Sequence, residues 1–276
     1  MIIKDFGFRN PVIKMEDHIF GSAETGAVIN QSGQWDEWLP QYEPQFEKFE
    51  TLGCTVWGTE NAIECLHKHN FGSEPNYSER FTYILAGINF AGGDPGRIAE
   101  VIRKKGLINQ YLLSMTDTPE EFVQPEPMDP LYLKYGEEWL MNYSFGHQWV
   151  LTGGETKEQR IGMIKEALQY SVLGVAVTAW NENNGIYFDN GLRNNHWCVC
   201  FGWDDSKQAW KIFDSYDQSI KLYSYDSVIS VAKRYSLSKR TTMYVQKYWF
   251  QELAYELSGF FKDMAFAFLR VFGYNK

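Results

Sequence analysis

The sequence predicts an α+β fold, helices first and an antiparallel sheet after them. Three observations carry that reading. Apolar residues recur at helical separations through a block spanning about 54–106, and again over 157–174. From 175 to 225 the pattern changes to short β-branched and aromatic runs bounded by Asn, Gly and Asp turns. Helices gathered ahead of strands define the class.

Residues 1–40 lack a clear period and contain "GSAETGAVINQSG", which reads as an extended, loop-rich arm. From about 54 to 70, Val56, Trp57, Ala62, Ile63 and Leu66 fall at helical spacing, so a helix starts at or near Cys54, with Gly53 suited to the tight turn before it. "SERFTYILAGI" (78–88) is a second helix. Pro95 and Gly96 open a third, in which Ile98, Val101 and Ile102 share a face and Gly106 caps the end. Between 115 and 135 the chain carries four of its nine prolines and several acids, and is expected to be an extended connector. His147 falls in an irregular aromatic stretch. A helix over 157–174 turns Ile161, Ile164, Ala167 and Leu168 inward.

The strands follow as "VAVTAW" (175–180), "HWCVCFGW" (196–203), "AWKIFDSY" (209–216) and "IKLYSY" (220–225), with "WDDSKQAW" a hairpin connection and 241–250 a further strand. The tail looks helical, with Leu253, Leu257, Phe260, Phe261, Met264, Phe268 and Leu269 on one apolar face. Charges at Glu252, Glu256, Lys262, Asp263 and Arg270 interrupt it, so no transmembrane span is expected. The organisation predicted is an N-terminal arm (1–40), a helical lobe (41–135), a β-sheet lobe (136–248) and a C-terminal amphipathic helix (249–276).

Composition narrows the function classes. With 44% hydrophobic and 17% aromatic residues in 276, the chain is no disordered segment. A net charge of −9 argues against nucleic acid as the main partner, and the one compact basic run, Arg103-Lys104-Lys105, reads as a solvated helix end. The N-terminus shows no apolar h-region or small-residue cleavage site, so a cytoplasmic location is expected. Four cysteines are too few for a disulfide scaffold. Cys198 and Cys200 share one face of a strand, and free thiols are expected.

Cys54 holds the chemical interest. A helix N-terminus favours a thiolate through its unpaired N–H groups, and a histidine partner favours it further. Of the five histidines, His196 opens a predicted core strand, a rigid place for a base. Asp214 interrupts the apolar strand "WKIFDSY", where a carboxylate could fix the imidazole tautomer. Each residue alone has an ordinary structural reading, as a buried thiol, a packed histidine or a turn acid. Their order on three elements makes a Cys-His-Asp triad the sharper one.

These residues and their spacing resemble the papain-like cysteine peptidases. "LGCTVWGTENAIE" looks like that family's nucleophile helix, "NFAGGDPGRIAEVIRKKGLI" like its Gly-Gly substrate loop and next helix, and "GIYFDNGLRNNHWCVCFGWDD" like its His-bearing strand. His196 follows Cys54 within the window of about 130–150 residues typical of the family. The resemblance covers roughly 40–225. It implies a two-lobed fold, Cys54 as nucleophile, His196 as base, Gln45 in the oxyanion hole with Gln41 as the lesser candidate, and Gly92 and Gly93 beside the cleft. It implies no metal or organic cofactor. Trp180 and Trp197 flank the predicted catalytic elements and are the candidates for substrate contact.

Departures accompany the likeness. The nucleophile motif reads Leu52-Gly53-Cys54-Thr55 where the family has Gly-Ser/Ala-Cys-Trp, Gln45 lies farther ahead of the cysteine than the family's Gln, and Asp214 replaces Asn. Divergent relatives of this kind resemble those of tailed phages and bacteria, with a virion-associated location as the alternative to the cytoplasm. The expected partner is a protein or peptide substrate. Rival readings are a transglutaminase-like or cell-wall amidase acyl transferase, and a non-catalytic papain-like structural or virion protein that docks an oligomer or virion partner through residues 250–272.

Overall fold

Capping residues fix where the helices begin in the computed structural model, which describes residues 5–14, 17–21, 27–216 and 220–240. Helix α1 (Cys54–Phe71) follows Gly53 and closes at Gly72, whose φ of 73° turns its N–H onto the Lys68 carbonyl. Helix α2 (Glu79–Leu85) starts at Ser78, whose hydroxyl accepts from the Phe81 N–H. In α3 (Pro95–Lys105), Asp94 accepts from the N–H groups of Gly96 and Arg97, and Gly106 ends the helix.

The stretch expected to be an extended connector holds two helices instead, α4 (Pro119–Phe122) and the start of α5 (Pro130–Asn142). Each begins on a proline, and the residue before it, Thr118 or Asp129, accepts a backbone N–H as the cap. Proline in the first helical turn loses no hydrogen bond, so here it starts helices and does not break them.

One eight-stranded sheet follows, in the order β1-β8-β2-β5-β6-β7-β4-β3. Its strands are β1 (Tyr143–Leu151), β2 (Leu173–Val177), β3 (Asn181–Asn183), β4 (Ile186–Phe188), β5 (His196–Asp204), β6 (Ala209–Phe213), β7 (Ile220–Ser224) and β8 (Ala232–Lys239), with α6 (Lys157–Ala167) between β1 and β2. Every pairing is antiparallel except β4 with β7. The α+β class is therefore observed. The expected irregular stretch around His147 is strand β1, held by β8, a strand the sequence reading did not contain. The predicted strand over 241–250 and the C-terminal helix lie outside the described residues. Among the described residues no helix is long and apolar enough to cross a membrane.

Helix α1 packs on β5 and β8 along one side and on α2 and α3 along another, so its first fourteen positions are all buried. This central place also buries carboxyl groups: Glu60 is 1% exposed, with Glu64 and Glu79 buried near it. Burial, only partly offset by the Thr82 hydroxyl and worsened by the charge of Glu43, pushes the Glu60 carboxyl up to about 8. A carboxyl raised in the folded state binds a proton that the unfolded chain has released. Its stabilising contribution is complete below the ordinary value of 4.5 and is lost as pH rises towards about 8. Glu60→Gln is therefore expected to raise the melting temperature at pH 8, by an amount on the order of a few kcal/mol of stability, and to leave it little changed at pH 4.5. Thermal unfolding across that range checks this, and an equal shift at both pH values would contradict it.

Candidate active site

Three elements converge on one spot. Cys54 is the first residue of α1, and α1 lies against β5. His196 opens β5 opposite Val177 of β2, with the buried strands fixing its backbone. In the β5–β6 hairpin Val199 pairs with Phe213, so the chain leaves β6 with Asp214 beside the start of β5. Cys54 and His196 are 0% exposed and Asp214 1%. The Cys54 sulfur accepts from the backbone N–H of Trp197, the residue next to His196.

The His196 ring is held from one end. Its Nε2 lies 2.6 Å from Asp214 Oδ1, while its Nδ1 has no hydrogen-bond partner and is buried. Asp214 is itself anchored: Oδ1 also accepts from the Tyr216 N–H at 3.1 Å, and Oδ2 accepts from Lys221 Nζ at 2.8 Å. Burial alone would raise the Asp214 carboxyl, but the His196 ring and the Lys221 ammonium outweigh it and hold the group below its ordinary value. Trp180 packs edge-on to His196, with ring centroids 5.7 Å apart, and Lys221 Nζ lies 4.8 Å from the Trp180 ring centre. Trp180 thus shields the His196–Asp214 pair from water.

Gln45 reaches the same place from the loop ahead of α1. The Ser215 hydroxyl donates to its Oε1 at 3.0 Å, its own N–H donates to the Ser215 carbonyl at 3.0 Å, and the Thr51 hydroxyl donates to its carbonyl at 2.8 Å. The Gln45 side-chain amide donates to Glu50 Oε1 at 3.3 Å and to the Phe6 carbonyl at 3.4 Å. The second acceptor belongs to the N-terminal arm.

That arm runs through the site and pairs with Gly93 at a single bridge. The Gly93 N–H donates to the Gly7 carbonyl at 2.8 Å, and the Arg9 N–H donates to the Gly93 carbonyl at 2.9 Å, a parallel bridge of Phe8 on Gly93. The Phe6 ring lies 4.9 Å from that of His196. Phe8 stacks on Trp197 at 5.9 Å and packs in one apolar cluster with Cys54, Trp149, Ala176 and Val231. Gly92 also faces the arm, since a Cβ there would come within 2.4 Å of the Gly7 carbonyl oxygen. Gly92, Gly93 and Trp197 therefore all touch the arm, and Trp197 is 0% exposed, its ring also packed against Gly58 of α1 and Gly174 of β2.

The arm changes the electrostatics expected of Cys54. The helix N-terminus favours a low thiol pKa, but burial pushes the Cys54 thiol well up, offset only in part by the Trp197 N–H, and the charges of Asp214, Asp5 and Glu50 push the same way. Asp5 lies on the arm itself. In this covered state burial disfavours the Cys54 thiolate. All four cysteines are free and buried.

Nothing in the sequence pattern singled out Lys221, Cys198 or the arm residues Phe6, Gly7 and Phe8. Cys198 Sγ lies 3.8 Å from Asp214 Oδ1, and His196, Cys198 and Asp214 are the described group whose donor atoms, all within 4.8 Å, have spacing for a metal ion. A cation entering there would have to displace the His196–Asp214 hydrogen bond and face the Lys221 ammonium.

Gly7 offers a direct handle on the arm. Its φ is +97°, and a Cβ there would sit 1.9 Å from the Leu52 carbonyl oxygen, two residues before Cys54. A backbone oxygen cannot move aside as a flexible side chain can. Gly7→Val is expected to lift the arm and to increase the rate at which iodoacetamide modifies Cys54 at least about tenfold, one factor of ten for each 1.4 kcal/mol of lost arm binding. Peptide mass spectrometry of the alkylated protein reads this, and an unchanged rate would show that the arm does not limit access.

No protein-family model matches the sequence, and no curated protein sequence matches it. Solved structures do. Xylellain, a cysteine protease from Xylella fastidiosa, superposes with a TM-score of 0.60 at 16% identity, covering 87% of this chain and 97% of that one. The digestive procathepsin L 3 of Tenebrio molitor larval midgut gives a TM-score of 0.57 at 12% identity over 80% of this chain and 74% of that one. The ragweed pollen cysteine protease Amb a 11, in its proform, gives 0.56 at 14% identity over 76% and 67%. At such identities the likeness is one of architecture, and the fold of this chain is papain-like.

Proposed function

We propose that this protein is a cysteine peptidase that hydrolyses peptide or isopeptide bonds and that residues 5–13 hold it in a latent state. The observation that carries the reading is the arm itself. A segment of polypeptide already lies across Cys54 and His196, bound through its backbone to Gly93, with one carbonyl on Gln45 and one aromatic side chain in an apolar niche. A channel that holds its own chain this way has the hydrogen-bonding edge and side-chain recess needed for a peptide substrate.

With a substrate in the arm's place, the chemistry is acyl transfer to water. Cys54 gives its proton to His196 Nδ1, the ring nitrogen left without a partner, and the sulfur attacks the carbonyl carbon. The oxygen takes the negative charge and is stabilised by the Gln45 amide and the Cys54 N–H, donors typically worth about 3–4 kcal/mol each. His196 then protonates the leaving amine, and the acyl-enzyme is released by a water that passes its proton to His196. Asp214 keeps Nε2 protonated, which leaves Nδ1 as the nitrogen that exchanges protons.

A specific observation favours a second reading, a papain-like protein without turnover: Cys54 is fully buried, which pushes its thiol above the ordinary value. The two readings part once the arm is displaced. Incubating the Gly7→Val protein with a mixed peptide library and identifying fragments by mass spectrometry tests the first. Cleavage that an epoxide cysteine-peptidase inhibitor abolishes supports it, and an intact library alongside unreactive Cys54 favours the second.

A further inference from the structure

We propose that Lys221 is a positioning residue for the base: its ammonium cancels the charge that Asp214 brings into the site and fixes the carboxylate and Trp180 around the His196 ring. The inference rests on reading Cys54 and His196 as nucleophile and base. It begins from a cost. A carboxylate orients imidazole as well as an amide does, but it adds a negative charge beside a thiol that must become a thiolate.

The surroundings of the pair are specific. Asp214 is 1% exposed and Lys221 1%, in a strand where alternate residues face the core. Asp214 Oδ1 serves His196 and the Tyr216 N–H, and Oδ2 takes the Lys221 ammonium at 2.8 Å. Among the described residues Lys221 is the one lysine or arginine within ion-pair distance of Asp214. The other charged or titratable groups that face the site are Asp5 and Arg9 on the arm, Glu50 ahead of α1, Tyr216 with its ring 5.9 Å from that of His196, and Cys198 on β5. Arg9 is paired with Asp5 at 2.9 Å, so Lys221 is the cation set against Asp214 itself. Its Nζ also lies 4.8 Å from the ring centre of Trp180 and 5.4 Å from that of Tyr187. One ammonium is therefore shared between the group that aligns His196 and the ring that shields it.

Charge compensation has a sign that packing lacks. Removing a cation raises the pKa of every group beside it, and removing an anion lowers it. The experiment uses the full-length protein and follows the His196 ring by NMR titration, assigned by comparison with His196→Gln. In Lys221→Met the ring should titrate higher by about one pH unit, in Asp214→Asn lower by about the same, and in the double variant close to wild type. A purely structural role predicts otherwise: each variant loses stability, the double variant loses most, and the ring titration follows no charge order. Should Lys221→Met fail to fold, the comparison of Asp214→Asn with the double variant suffices. An upward return on adding Lys221→Met supports the proposal, and identical titration overturns it. The readout does not need turnover, so an arm-displaced Gly7→Val protein that cleaves nothing, with the signed series intact in the full-length protein, would refute the peptidase reading and leave the charge compensation around His196 standing.

Discussion

Cys54→Ala is expected to abolish hydrolysis, lowering kcat/KM of an arm-displaced protein by roughly ten-thousand-fold or more and leaving only uncatalysed cleavage. In the proposed mechanism the sulfur bonds to the substrate carbon, so no other group in the site can replace it. Cys198 shares the neighbourhood, but it sits against the Asp214 carboxylate, and both burial and that charge raise its thiol well above its ordinary value. His196→Ala should cost about as much, and the double variant no more than either alone, because nucleophile and base act as one unit. Steady-state kinetics on a fluorogenic peptide reads all three. Retained turnover in Cys54→Ala, or additive losses, would move the chemistry elsewhere.

The second large effect is on latency. The arm is held by two backbone hydrogen bonds to Gly93, worth about 0.5–1.5 kcal/mol each, and by the burial of Phe8, worth about 1.5–3 kcal/mol. Together these amount to roughly 2.5–6 kcal/mol, a factor of about sixty to about twenty thousand in the population of the open site. A chain shortened to begin at residue 14 should therefore cleave a peptide substrate, and react with an epoxide probe, about a hundred-fold faster or more than the full chain. Phe8→Ala should recover part of that gain. The alternative outcome is equally readable: unchanged rates in a shortened chain that still melts cooperatively would mean that the arm is a fixed wall of the cleft.

Much of the fold was legible because its signals are local. α1 and β5 declare themselves through spacing and residue type within a few turns of chain, and so the elements that present Cys54 and His196 could be placed. β1 and β8 could not. "YSFGHQWVL" and "AKRYSLSK" lie far apart in sequence, pair only with the rest of the sheet assembled, and carry His147, Lys233 and Arg234 where a strand reader expects apolar residues. Lys233 tolerates its burial by donating to His147 Nδ1 at 3.0 Å, with His147 Nε2 2.9 Å from Glu100, and by lying over the Trp149 ring.

β7 misleads more directly. In "IKLYS" hydrophobicity would turn Ile220 and Leu222 inward, yet Lys221 and Tyr223 are buried and Ile220 is 53% exposed. The partner that reverses the strand's facing is Asp214, and only the three-dimensional structure brings it near. The arm has the same origin. Nothing within residues 5–13 announces that Phe8 fits beside Trp197 or that Gly7 alone clears the Leu52 carbonyl. Burial raises the Cys54 thiol for that reason: the helix end is as anticipated, but the cover over it is tertiary.

The most direct measurement is the rate of iodoacetamide modification at each of the four cysteines, read by peptide mass spectrometry on the full chain, on Gly7→Val, and on Gly7→Val combined with His196→Ala. The account predicts slow labelling throughout the full chain, fast and selective labelling of Cys54 in Gly7→Val, and a sharp fall when His196 is also removed. Slow, equal labelling of all four cysteines in Gly7→Val, with the arm shown by proteolysis to be displaced, would contradict an activated nucleophile at Cys54.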